Sequence, residues 1–184
     1  MGHTYLSTVS EMRDDAMKLE VFYTAEQLSE RVKVIGAEIA KFYQDRPLTV
    51  IALANGGVFF GCDLVRAMDI PLWFDVAAVS SYRNDVKCGE PYFRCEAKLS
   101  PVGREILIVD DVLDSGDTIR FCKEYFLKAG AAGVRSAVLM DKKLPDRKAE
   151  ADWNCFDAPD LYLVGAGMDS REYYRNYPGV GVLR

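Results

Sequence analysis

Residues 106–119, Ile106-Leu-Ile-Val-Asp-Asp-Val-Leu-Asp-Ser-Gly-Asp-Thr-Ile119, decide the fold. Glu105 to Asp110 is almost unbroken aliphatic sequence, the composition of a central parallel strand buried on both faces. Two adjacent acids, Asp110 and Asp111, close it. Asp114-Ser115-Gly116-Asp117-Thr118 then turns the chain into a helix over 117–129, where Ile119, Cys122 and Phe126 share one face and Gly130 and Gly133 supply stops. A strand, an acid pair, a glycine turn and a helix in that order form a β-α unit of an α/β sheet. Such sheets bind ligands at the carboxyl ends of their strands.

Upstream, Thr24 and Gln27 form a capping box ahead of Leu28, Val32, Ile35, Ile39 and Phe42, which predicts an amphipathic helix over 24–44. Leu48 to Ala54 is a short apolar run ended by Asn55-Gly56-Gly57, the pattern of a buried strand entering a tight turn, and a helix over 58–68 follows. Pro71 to Val79 reads as a strand, and the polar stretch Ser80 to Ser100, with Asn84-Asp85 and Gly89, as a hairpin or a mobile loop. Downstream, 134–140 and 160–164 are further strands. The alternation predicts an α/β fold with a mostly parallel twisted sheet flanked by helices. Ala158-Pro159 and Tyr177-Pro178-Gly179 punctuate the C-terminal third, expected to cover the sheet, and no internal repeat or low-complexity segment occurs.

The chain of 184 residues suits one domain, 1–184. Its 49% hydrophobic and 28% charged residues exclude disordered, collagen-like and coiled-coil classes. With 23 Lys and Arg against 28 Asp and Glu, the net charge of −5 provides no global field for nucleic acid or an anionic membrane. Cys62, Cys88, Cys95, Cys122 and Cys155 contain no CxxC pair and suit a reducing cytoplasm. No run of 18 apolar residues occurs, and the polar Met1 to Asp15 lacks a signal-peptide core. The only histidine is His3, which excludes a Ser-His-Asp triad, a Cys-His dyad and His-rich metal sites.

The turn at 114–118 has a chemistry of its own. A helix N-terminus preceded by Ser-Gly-x-Thr offers backbone N–H groups, hydroxyls and a partial positive charge, and so binds phosphate without a lysine. Asp110 and Asp111 can accept hydrogen bonds from vicinal hydroxyls or hold Mg²⁺. Sugar plus phosphate is the implied ligand. The competing reading has Asp114 or Ser115 as a simple N-cap and the acids as solvated loop residues. Two further glycine patterns, Gly56-x4-Gly61-Cys62-Asp63 and Gly165-Ala-Gly167-Met-Asp-Ser170, lack the completing residues of nucleotide fingerprints and read as turns.

The thirteen residues Ile106 to Thr118 resemble the phosphoribosyl pyrophosphate signature of the type I phosphoribosyltransferases: four aliphatics, two acids, two aliphatics, then Asp-Ser-Gly-x-Thr. Ala78-Val-Ser-Ser-Tyr82, Leu139-Met-Asp-Lys-Lys143, Val164-Gly-x-Gly-x-Asp169 and Tyr174-Arg175-x-x-Pro178 are similar to the hypoxanthine-guanine branch and occur in its order. The resemblance implies that fold, with a small hood made from the chain ends, 1–23 and about 150–184. It implies Mg²⁺-dependent transfer of a 5-phosphoribosyl group from phosphoribosyl pyrophosphate to a 6-oxopurine, and a homodimer or homotetramer.

Residue by residue, the resemblance gives Asp110 and Asp111 the ribose hydroxyls and Mg²⁺, and Asp114, Ser115, Gly116, Asp117 and Thr118 the 5-phosphate. Ala54-Asn55-Gly56-Gly57 matches the pyrophosphate loop, often built around a non-proline cis peptide. Asn55 stands where many relatives carry Lys or Arg, which weakens diphosphate binding or moves it toward Mg²⁺ and Arg175. Asp169 would bind a second Mg²⁺ through water. Lys142 would donate to the exocyclic oxygen of the base, against the bland reading of a solvated lysine. Tyr162 would stack on the purine, against that of a half-buried strand aromatic, and the Leu163 backbone would read the purine edge. Ala166 and Ser170 stand where relatives commonly have Tyr, which implies a wider base pocket or an altered purine preference.

The implied reaction passes through an oxocarbenium-like state and needs leaving-group stabilisation, a positioned nucleophile and excluded water, but no histidine. Asp114 is the candidate general base for the purine N7 proton. Ser81 and Tyr82 match the catalytic lid. Two alternatives stay open: a phosphoribosyltransferase acting on xanthine or a pyrimidine, and a non-catalytic sensor of phosphoribosyl pyrophosphate. A sensor binding nucleic acid would need an electropositive face.

Overall fold

The computed structural model describes residues 19–83 and 86–183, with residues 81–89 described at most as backbone. His3 and the rest of 1–18, Asn84 and Asp85, and the Cys88 side chain fall outside the described residues.

Among the described residues, nine strands and three helices follow in the order β1 (Leu19–Tyr23), α1 (Ala25–Tyr43), β2 (Leu48–Ala54), α2 (Gly57–Arg66), β3 (Trp73–Arg83), β4 (Val86–Cys95), β5 (Glu105–Leu113), α3 (Asp117–Lys128), β6 (Gly133–Asp141), β7 (Trp153–Asp157), β8 (Leu163–Val164) and β9 (Val180–Leu183). Six strands form one sheet in the order β4-β3-β2-β5-β6-β7. Every neighbouring pair from β3 to β7 is parallel, and β4 alone is antiparallel.

β5 lies inside the sheet with Ile106, Leu107, Ile108 and Val109 all at 0% exposure, as its unbroken aliphatic sequence demands. Its side chains alternate between two cores. Leu107 and Val109 join Val50, Leu139 and the inner faces of α1 and α2; Ile106 and Ile108 join Ile51, Leu53, Val138 and the Ile119, Cys122 and Phe126 stripe of α3. α1 starts at the expected capping box: Thr24 Oγ1 accepts from the Gln27 N–H, and Gln27 Oε1 from the Thr24 N–H.

One open alternative is settled, one expected strand is corrected and one strand is new. The polar stretch 80–100 is the hairpin of the two alternatives, since β3 runs on to Arg83 and pairs with β4. The strand expected at 160–164 is only Leu163–Val164 and does not belong to the parallel sheet. The sixth strand is β7, which the sequence reading passed over. It is short and carries the mixed pattern Trp-Asn-Cys-Phe-Asp. What makes it a strand is tertiary: Arg31 of α1 donates to the Cys155 carbonyl at 2.7 Å, and Trp153 packs edge-on to Phe42 at 5.3 Å.

β1, β9 and β8 form a second, antiparallel sheet from the two ends of the described chain. Tyr23 of β1 stacks on Phe156 of β7 at 4.1 Å, joining the small sheet to the large one. The chain-end sheet takes residues from Leu163 onward, and 153–157 stay with the main sheet. No described helix is long and apolar enough to cross a membrane.

Candidate active site

β2 and β5 are adjacent and parallel, so their carboxyl ends open on the same edge of the sheet. Each leads into a helix whose N-terminus has no side-chain cap: Gly56 precedes α2 and Gly116 precedes α3. Asp114 makes no capping bond here, and Ser115 reaches the helix only through the long bond from the Asp117 N–H to its Oγ. Apart from that Asp117 N–H, the first N–H groups of both helices have no side-chain partner, and the positive ends of the helix dipoles lie beside them.

After β2, the Ala54–Asn55 peptide is cis, as the resemblance implied for the pyrophosphate loop. The loop is seated on β5 so closely that a Cβ on Gly57 would lie 2.8 Å from the Val109 carbonyl oxygen and 2.9 Å from Asp110 Cα. Glycine here lets backbone approach backbone. After β5, Ser115 Oγ lies 3.1 Å from Asp117 Oδ2 and accepts a long 3.4 Å bond from the Asp117 N–H. Gly116 has φ +79°, and a Cβ there would meet Ala149 N at 2.6 Å. Thr118 follows in the first turn of α3.

Asp110 and Asp111 stand side by side at the end of β5. Asp110 Oδ1 accepts from the Asp111 N–H at 3.0 Å and Asp111 Oδ1 from the Val112 N–H at 2.9 Å. Burial raises both carboxyls above the usual range, Asp110 well above it, with the neighbouring Asp111 charge adding to the burial of Asp110. For Asp111 the positive charge of Arg175 works in the opposite direction. Two crowded carboxylates want a cation or hydroxyl donors. Among the described residues no three ligating side chains converge into a metal site, so Asp169 does not complete a three-ligand set with this pair. A pair of carboxylates still fits Mg²⁺, which is commonly held by one or two carboxylates together with substrate phosphates and water.

Arg175 is oriented by three partners. Nη2 lies 2.7 Å from Asp169 Oδ1 and 2.8 Å from Glu172 Oε2, and Nη1 donates to the Gly167 carbonyl at 2.9 Å. Asp169 also accepts from the Glu172 N–H at 2.8 Å, so both its oxygens are engaged.

On the other side of Asp114, Lys142 leaves the end of β6 with its side chain only 12% exposed. The solvated-lysine reading does not hold. Its Nζ lies 3.1 Å from Asp114 Oδ2 and 3.4 Å from Asp160 Oδ1. Asp160 went unnoticed in the sequence, where an isolated acid after Ala-Pro carries no signal. Tyr162 is 62% exposed, with its hydroxyl donating to the Asp169 carbonyl at 3.0 Å. The half-buried strand aromatic is thereby excluded, and the ring offers an open face. Leu163 is buried in β8, paired with Val182. Ser81 and Tyr82 lie on β3, near its end. Their side chains are outside the described residues.

A cavity of about 740 Å³ lies elsewhere, between α1, α2 and residues 166–178; it shares Ala166 and Arg175 with the crevice, and its walls are mainly apolar. It holds neither the acid pair nor Lys142. The chemistry sits in the open crevice at the strand ends.

Residues 23–171 match the model of the family described as the phosphoribosyl transferase domain. The chain is similar to the hypoxanthine-guanine phosphoribosyltransferase of Bacillus subtilis, with 38% identity over 176 residues, covering 94% of this chain and 96% of that protein. It is also similar to the enzyme of the same name from Streptococcus pneumoniae, at 31% identity, with 90% and 93% covered. Among solved structures, a hypoxanthine phosphoribosyltransferase from Staphylococcus aureus superposes with a TM-score of 0.86 at 32% identity, over 97% of both chains.

Proposed function

We propose, from the premise that this chain belongs to the phosphoribosyltransferase family, a residue-level account of how it ribosylates a 6-oxopurine. The activity is hypoxanthine-guanine phosphoribosyl transfer, a purine-salvage reaction. Phosphoribosyl pyrophosphate and hypoxanthine or guanine are the substrates; inosine or guanosine monophosphate and diphosphate are the products. The observation that carries the account is Lys142, a nearly buried cation 3.1 Å from Asp114, the residue that opens the phosphate cradle. A donor for the exocyclic oxygen and an acceptor for a ring proton thus stand side by side, where the sugar-phosphate site ends.

Residues 114–118 and the uncapped start of α3 hold the 5-phosphate. Asp110 and Asp111 accept from the ribose 2- and 3-hydroxyls and would hold Mg²⁺, which would supply charge neutralisation for the diphosphate. Ala54, Asn55 and Gly56 approach the diphosphate through backbone N–H groups. Arg175, steered by Asp169 and Glu172, supplies the cation that Asn55 lacks, and Asp169 would help hold a second Mg²⁺. Tyr162 stacks on the purine and the Leu163 backbone reads its edge. Lys142 donates to the 6-oxo group, which adenine lacks. As N9 attacks the anomeric carbon and the diphosphate leaves, Asp114 takes the N7 proton. The β3–β4 hairpin, with Ser81 and Tyr82, covers the reacting centre against water.

The same reading makes 1–184 one domain, with 1–23 and the C-terminal segment as a hood, and places it in the cytoplasm as a homodimer or homotetramer. The test is diphosphate release from phosphoribosyl pyrophosphate and Mg²⁺ with hypoxanthine, guanine, xanthine, adenine and uracil offered in turn. Release with hypoxanthine or guanine and none with adenine is expected. Release with adenine or uracil at comparable rates would overturn the assignment of Lys142.

A further inference from the structure

Asp141 ends β6 at 0% exposure, the one fully buried charged residue among those described, and the reaction as outlined gives it no part. A carboxylate without solvent is retained only against cations and donors. Its Oδ1 accepts from the Lys143 N–H at 3.0 Å and from Arg147 Nη1 at 2.9 Å. Oδ2 lies 2.7 Å from Lys143 Nζ, an ion-pair contact without hydrogen-bond alignment.

These bonds shape one loop. Lys143 has φ +52°, so the chain turns through the left-handed region directly after Lys142, and the Asp141 carboxylate holds that turn by its N–H. The Lys142 N–H is itself fixed to the Leu113 carbonyl at 3.1 Å. Five residues past Lys142, Arg147 returns the chain to the same carboxylate, its other nitrogen on Glu150 at 2.8 Å. The next N–H, of Lys148, donates to the Ser115 carbonyl at 2.6 Å, and Ala149 packs against Gly116. The loop therefore begins at the lysine that reads the base and ends as the back wall of the phosphate cradle, with both ends tied to one buried charge.

We propose that the Asp141–Arg147 pair is a positioning device that sets, through residues 142–149, both the reach of Lys142 to the purine and the shape of the cradle at 114–118. Neither residue belongs to either subsite. The inference rests on the function proposed above.

The test is steady-state kinetics of Arg147→Met and Arg147→Lys, with Lys142→Met and Ser115→Ala as single-subsite references and thermal unfolding alongside. Arg147→Met is expected to raise KM for phosphoribosyl pyrophosphate and for hypoxanthine together, each about tenfold, because a small misplacement propagates to both subsites. Its kcat stays within about threefold of the parent, since no reacting group is lost. Arg147→Lys, which keeps the charge and loses the fork, falls between, and carries the test if Arg147→Met does not fold. Lys142→Met should move the hypoxanthine KM alone and Ser115→Ala the phosphoribosyl pyrophosphate KM alone. A purely structural role would lower Tm and the active fraction while leaving both KM values in place. That result, or a shift in only one KM, overturns the proposal. Parent protein that releases no diphosphate with hypoxanthine or guanine overturns the functional reading instead, so the two failures are distinguishable.

Discussion

Gly116 and Gly103 make a matched pair for testing what the phosphate cradle requires of its backbone. Both have positive φ, +79° and +69°. A Cβ on Gly103 would meet nothing within 4 Å, whereas one on Gly116 would lie 2.6 Å from Ala149 N, 3.0 Å from Ala149 O and 3.2 Å from Lys148 N, all backbone atoms that cannot swing aside. Alanine in the left-handed region costs about 1–2 kcal/mol, offset by about 0.5 kcal/mol from the stiffer unfolded chain. Gly103→Ala should therefore lose about 1 kcal/mol, or about 3 °C in Tm for a chain of this size. Gly116→Ala carries the same strain, and a cradle or loop shift of a few tenths of an ångström, which overpacking values put at about 2 kcal/mol more. Its Tm should fall by about 9 °C in all. The kinetic difference should be sharper: unchanged constants for Gly103→Ala, and about a tenfold or greater rise in KM for phosphoribosyl pyrophosphate in Gly116→Ala. Calorimetry and initial rates on the two purified variants decide it. Equal Tm values, with both KM values within twofold of the parent, would refute the claim that the cradle and residues 148–149 are packed backbone to backbone.

Asp114→Asn should lower kcat about a hundredfold with little change in KM for phosphoribosyl pyrophosphate, since the amide cannot take a proton; near-normal turnover would remove Asp114 as the base. Lys142→Met should raise KM for hypoxanthine tenfold to a hundredfold, the usual worth of a charged hydrogen bond, and narrow the gap to adenine. Burial pushes the Cys155 thiol up to about 12 and raises the Cys122 thiol and the Tyr43 hydroxyl as well. In each case the folded-state value lies above the unfolded one, so the native state keeps a proton that the unfolded chain releases. Stability is then complete below about pH 8.5 and falls as pH rises, by about 1.4 kcal/mol per unit for each thiol. A Tm that stays level from pH 8 to pH 10.5 would contradict that burial.

The parts legible in the sequence are those where local chemistry and tertiary role coincide. β5 is aliphatic because it is buried on both faces, and the SGxT turn is glycine-bearing because φ there is positive. α1 begins at Thr24 because its side chain satisfies an N–H of the first turn. What escaped is structure made by distant partners. β7 owes its place to α1, and β1 and β9 pair across almost the whole chain, so neither leaves a periodic pattern in so few residues. At the site, the acid pair and the cradle could be read as a contiguous motif. The bracketing of Lys142 by Asp160 and the tie from Asp141 to Arg147 could not, because an isolated acid or arginine in a polar loop looks the same whether it is solvated or structural. Lys142 itself had a surface lysine's sequence and a buried lysine's environment.

The chain-end sheet places its latest strand in the middle: β9 lies between β1 and β8, joining the first described strand to the last but one. During synthesis on a ribosome the main sheet can assemble as far as β7 while β1 waits unpaired, its partner still untranslated. β8, with Leu163 and the adjoining Tyr162, waits with it. With Tyr162 and Leu163 in their proposed roles, the purine platform is completed only when residues 180–183 emerge, so a nascent chain would form the proposed phosphate cradle before it could hold a base.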